Sequence, residues 1–91
     1  MHIKNFPKDP QAVLDFEFDW SNWLQSGETI SSHDITVPTG ITLASDAESG
    51  GIVTVWLSGG TAGTNYIVAC EITTSSARTD ERSMRILVAD R

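Results

Sequence analysis

The chain is poor in most residue types that would announce a chemistry. One cysteine, Cys70, stands among 91 residues, so no internal disulfide can form. Six Lys and Arg face twelve Asp and Glu, for a formal charge of −6. That balance argues against a nucleic-acid partner, because phosphate contacts need clustered cations. The basic residues are scattered apart from Arg78, Arg82 and Arg85. No apolar run approaches the roughly 20 residues of a membrane helix, so no membrane partner is expected. The opening "MHIKNFPKDP" lacks the apolar stretch of a secretory signal. The expectation is a protein made in the cytosol that stays there or leaves it inside a larger assembly.

A long helical pattern is missing as well. What is there instead is strand after strand, in a chain of one-domain length and 40 % hydrophobic content. "LDFEFDW" alternates Leu14, Phe16, Phe18 and Trp20 with Asp15, Glu17 and Asp19, the period of a half-buried strand. "DWSNWLQSG" breaks that alternation. Asp19 or Ser21 caps a short helical turn, Gly27 ends it, and the spacing puts Trp20 and Trp23 on one side. In "TISSHDITVP", Ile30 has the parity opposite to Ile35 and Val37, which predicts a bulge or a strand break near Ser32 to Asp34. Pro38 stops that ladder. "ITLAS" is a strand and "DAESGG" a polar turn. "IVTVWLS" puts Val53, Val55 and Leu57 on one face and Ile52, Thr54 and Trp56 on the other. "NYIVACEITT" aligns Tyr66, Val68, Cys70 and Ile72. "SSARTDERS" is a polar hairpin connection, and "MRILVA" closes with Met84, Ile86 and Val88 inward.

Six or seven such segments with regular turn signals predict an all-β fold. The expected architecture is an immunoglobulin-like β-sandwich of about seven short antiparallel strands. Residues 12–91 would form the sandwich and residues 1–11 an extended N-terminal tail. The predicted core is Phe16, Phe18, Val37, Val53, Val55, Leu57, Val68, Cys70, Ile72, Ile86 and Val88.

The glycine-rich "LSGGTAGTNY" has two readings. A phosphate loop needs a lysine after its last glycine and a helix beyond it. Here Thr64 and Asn65 follow Gly63, and the next segment is β-branched. A tyrosine corner fits better: strand, glycine bend, then a tyrosine whose hydroxyl bonds back to upstream backbone. Leu57, Gly63 and Tyr66 are its candidate residues.

The remaining chemistry is sparse. Asp15, Glu17 and Asp19 offer oxygens on one strand face, but without the ligand spacing of a calcium loop. His2 and His33 lack a nucleophile elbow, and Ser32, His33 and Asp34 are strand neighbours that point to opposite faces. Cys70 reads as an inert buried thiol. No catalytic residue, metal site, cofactor or small-molecule substrate is expected. Three tryptophans are many for this length. Trp20 and Trp23 are candidate partner contacts or caps on the core. Trp56, outward by parity, joins Ile52, Ile67 and Leu87 as a candidate contact patch.

Four strings carry a resemblance: "KDPQAVLDFEFDWSNWL", "GETI" with "TVPTGITL", "VTVWLSGGTAGTNYIV" and "ITTSSARTDERSMRILV". Together, from about Lys8 to Val88, they resemble a family of small tailed-bacteriophage virion proteins of the fiber-tail adaptor or virion-associated type. The resemblance implies an immunoglobulin-like fold, a structural role at the tail, neck or head surface, and no enzymatic activity. It implies localisation in the virion after synthesis in the bacterial host cytoplasm, and other phage virion proteins as partners, with a homo-oligomer as a further possibility. It points to Asp19, Trp20, Ser21, Trp23 and Leu24, and to Val55 through Thr64, as fold determinants first and contacts second. The rival reading is an extracellular-type module for carbohydrate or receptor adhesion, which needs an aromatic platform.

Overall fold

The structure is a computed structural model that describes residues 4–89. Seven strands follow one another: β1 (Lys4–Lys8), β2 (Leu14–Asp19), β3 (Ile30–Thr36), β4 (Ile41–Ser49), β5 (Ile52–Gly59), β6 (Asn65–Thr74) and β7 (Thr79–Val88). They form two sheets, one ordered β1-β7-β6-β3 and the other β2-β5-β4. Among the described residues there is no helix.

Period-two patterning explains how the sheets meet. Each strand sends alternate side chains to opposite faces, and the apolar set of β2 and β5 faces that of β6 and β7. Val53, Val55, Leu57, Val68, Cys70, Ile72 and Ile86 are fully buried, with Phe16, Phe18, Met84 and Val88 beside them. Burial of this kind contributes roughly 1.5–3 kcal/mol for each large aliphatic side chain. The core also takes Trp20, Ile30, Ile41 and Tyr66. Val37, expected inside, is half-buried and packs against the cluster's margin.

Several expectations are corrected. The pairings are antiparallel except one: β1 runs parallel to β7, from Lys4 opposite Met84 to Lys8 opposite Val88. The part of the expected tail that is described is thus largely a sheet strand. Pro7 is compatible with it because β1 lies at an edge, where a missing N–H is tolerated. The bulge expected near Ser32 to Asp34 falls slightly earlier, between Ile30 and Ser32. "DAES" is not a turn. A second bulge between Leu43 and Ser45 lets β4 continue to Ser49, and Gly50 and Gly51, both at positive φ, make the turn by themselves. The hairpin after β6 is also shorter than expected. Ala77, at φ 61, turns the chain, and Thr79 already pairs with Thr73. Polar side chains hid both strand segments, because neither carries the apolar alternation that marks a strand facing a core.

Candidate functional site

Three constructions stand apart from the general core: a corner, a clamped loop end and an open side. The corner lies in the glycine stretch. Tyr66 Oη accepts a hydrogen bond from Thr61 N at 2.9 Å, and the bonds from Thr61 hold the phenol below its usual pKa. Leu57 is fully buried at the strand end. Gly63 N donates to Val88 O at 2.8 Å, which ties the bend to the last strand. Gly60 sits at φ +100, and a Cβ there would meet Val88 Cγ2 at 2.8 Å. Gly40 is equally constrained, since its Cβ would stand 3.0 Å from the Tyr66 ring. Gly60 and Gly40 therefore make room for the side chains of Val88 and Tyr66. They do not open an anion cradle.

Lys8 adds a fastening that sequence patterning did not reveal. It is almost fully buried, and its Nζ donates to Gly59 O at 2.6 Å and Asp9 O at 2.9 Å. Burial lowers its pKa, with nearby Asp9 opposing. Tyr66→Phe would remove the acceptor for Thr61 N while leaving the ring in place. The expected result is a melting temperature lower by about 5 °C, with faster amide exchange at Thr61.

The clamped end gathers around "DWSNWLQSGE". Asp19 Oδ1 accepts from Ser21 N and Ser21 Oγ, and those bonds hold its carboxyl below the usual range. Trp23 N and Leu24 N donate to Trp20 O, so the expected turn exists as a single turn. Trp20 is completely buried, stacked on Phe18, with its indole N–H donating to Asp80 Oδ2 at 2.8 Å. Arg82 lies over the ring at 4.9 Å. Arg78 covers Trp23 at 3.9 Å from the ring centroid and pairs with the buried Glu28 carboxylate. Glu28 also accepts from Thr74 Oγ1 at 2.5 Å and Gln25 N at 2.9 Å. The Arg78 guanidinium, then these two donors, hold the carboxyl down at about 2.

The tryptophans and the apolar patch thus separate. Trp20 is core and is no surface contact. Trp23 is half-buried beneath a cation. Trp56 is 42 % exposed on the outer face of the three-stranded sheet, with half-buried Ile52 on the same strand. Ile67, 41 % exposed, and half-buried Leu87 belong to β6 and β7, on the outer face of the other sheet. The four cannot form one patch, because the chain changes sheet at the glycine corner between β5 and β6. Parity alone could not show that change.

The candidate chemistry is placed as follows. His33 on β3 meets Asp46 on β4, Nε2 to Oδ2 at 2.6 Å, and bridges the two sheets at one side. His2 lies outside the described residues. Among the described residues, no three acidic, histidine or cysteine side chains gather as a metal site. Cys70 is fully buried, and burial first, then Asp46, Asp34 and Glu81, pushes its thiol up to about 12. A thiol reagent at pH 8 is expected to modify Cys70 at least ~100-fold more slowly in the folded chain than in denaturant, because access requires opening of the core.

On the other side, β1 and β2 face each other across a groove of about 650 Å³, bordered by Phe6, Pro7, Asp15 and Glu17. Phe6 meets Phe16 edge-on at 5.6 Å.

Two packed sheets, a tyrosine corner and a loop end closed by tryptophan and arginine define an immunoglobulin-like β-sandwich. A solved structure agrees: the PKD domain from KIAA 1837 protein superposes with a TM-score of 0.58 at 18 % identity, covering 98 % of this chain and 81 % of that one. No curated protein matches the sequence. Residues 8–87 match the family model described as podophage GP4 fiber-tail adaptor protein gp77, and the chain belongs to that family. It is a structural protein of the tailed-phage particle.

Proposed function

We propose that the chain is a non-enzymatic connector that seats a fiber on the phage tail, holding other virion proteins through its surface. The observation that carries this reading is the extent of the family match, which spans residues 8–87 and so takes in almost the whole sandwich. The fold supports it physically. The cross-links described above are structural ones: Arg78 to Glu28, Trp20 to Asp80, Lys8 to Gly59, Tyr66 to Thr61. They stiffen the loops at both ends of the sandwich and suit a rigid spacer. The glycan-binding alternative has less to use. Among the described residues, Trp56 is the one aromatic side chain counted as exposed, and a single ring makes a poor platform.

Immunogold labelling of purified particles tests the reading. Label at the junction of tail and fiber is expected. Label confined to the head surface would replace the connector with a decoration role. No label, together with no peptides from this chain in the particle's mass spectrum, would overturn a virion role altogether.

A further inference from the structure

The two sheets are unequal, four strands against three. At one side they are closed, since His33 and Asp46 join the edge strands β3 and β4. Both of these edges also carry a bulge, a common guard against further pairing. On the other side the edges are β1 and β2. The β1 edge contains Pro7, which has no N–H. The β2 edge has neither bulge nor proline, and its register with β5 is unbroken from Leu14 to Asp19.

The direction of its free backbone groups follows from one bond. Trp20 N donates to Gly51 O, one step beyond the Asp19–Ile52 pair. Even-numbered residues of β2 therefore turn their N–H and C=O toward β5, and odd-numbered residues turn theirs away. Among the described residues, the N–H groups that Asp15, Glu17 and Asp19 turn to the edge thus have no backbone partner, while the Asp19 carbonyl is taken by Arg82 Nη1. The same three residues put carboxylates on the outer face, and among the described residues Asp15 and Glu17 make no ion pair. On the inner face, the place beside β2 lies against half-buried Phe6. Val13 and Leu14, 55 % and 38 % exposed, stand at its start.

We infer that the β2 edge receives an extended strand from another virion protein, with Lys or Arg at alternate positions and apolar residues between them. Main-chain bonds to Asp15 and Glu17 would hold it, as in strand addition generally. Its cations would lie across from the row of carboxylates, and its apolar side chains would cover Phe6. The charge also selects against a second copy: β2 paired with β2 sets acid beside acid, which is unfavourable for facing strands. This inference rests on the connector reading and names the chemistry of its partner.

The test uses the whole chain on assembled particles. Glu17→Pro removes one outward N–H and leaves the β5 ladder intact. Asp15→Lys with Glu17→Lys reverses the charge. Both variants are expected to melt as wild type does in isolation, yet to enter particles at least tenfold less. Hydrogen exchange over residues 14–19 of the wild type is expected to slow on assembly. Normal entry of folded Glu17→Pro, or no slowing in that segment, would overturn the inference and leave the connector reading standing. Absence of the wild-type chain from particles would overturn both. Concentration-dependent protection of the segment in the free chain would mean self-pairing and would overturn the basic partner.

Discussion

Trp20→Ala is expected to lower the unfolding free energy by about 3–5 kcal/mol, the usual range for truncating a large buried aromatic. Domains of this kind are stable by only about 5–15 kcal/mol, so the loss would be a large fraction of the total. The mechanism has three parts. The indole is completely buried, and its removal leaves a void beside Phe18. Asp80 loses the indole N–H at 2.8 Å. Arg82 loses the ring beneath it. Urea denaturation followed by circular dichroism gives the difference directly. Trp56→Ala is the matched control: that ring is 42 % exposed, and the change should stay within about 1 kcal/mol. Equal effects from the two substitutions would contradict the burial of Trp20.

The second large effect is expected at Glu28. Its carboxylate is buried beneath Arg78, Thr74 and Gln25, and neutralising one member of such a group leaves the others without a counterpart. Glu28→Gln should lower the melting temperature at pH 7 by on the order of 10 °C. The pH dependence is more specific. The folded carboxyl titrates at about 2, well below its ordinary value of 4.5. A depressed carboxyl contributes stability that is fully present above about pH 4.5 and is lost as pH falls toward 2. Wild type and Glu28→Gln should therefore differ most at neutral pH and converge between pH 4.5 and 2. Parallel acid limbs for the two proteins would remove Glu28 as the anchor of this loop end.

The two sites were not equally legible in the sequence. Trp20 continues the alternation of Phe16 and Phe18, so its inward direction was readable, although its use as a contact remained open. Glu28 carries no periodic signal. Its partners Thr74 and Arg78 lie 46 and 50 positions away, and pairing at that distance is decided by topology. The same limit explains the divided apolar patch. Trp56 and Ile67 both point outward by parity, but only the sheet order puts them on opposite faces. Strands β2, β5 and β6 were readable because one face of each is apolar. The end of β4 and the start of β7 were not, since neither face there is apolar, and Asp80 and Arg82 reach the core only through their contacts with Trp20. Strand β1 resembled a tail because Lys4, Pro7 and Lys8 are poor strand formers, and the burial of Lys8 depends on a carbonyl 51 residues away. The β2 acids were visible as a row from the start. That the free N–H groups belong to the same residues needed the bond from Trp20 to Gly51.

The parallel pairing of the first and last strands bears on mechanical load. Opposing pulls along the chain, one at Lys4 and one at Val88, would draw β1 and β7 past each other lengthwise. All five register pairs from Lys4–Met84 to Lys8–Val88 would then resist together, in shear. An antiparallel pair held in the same way would peel apart from one end, bond by bond. A structural part loaded in tension between its two ends would gain from the first arrangement.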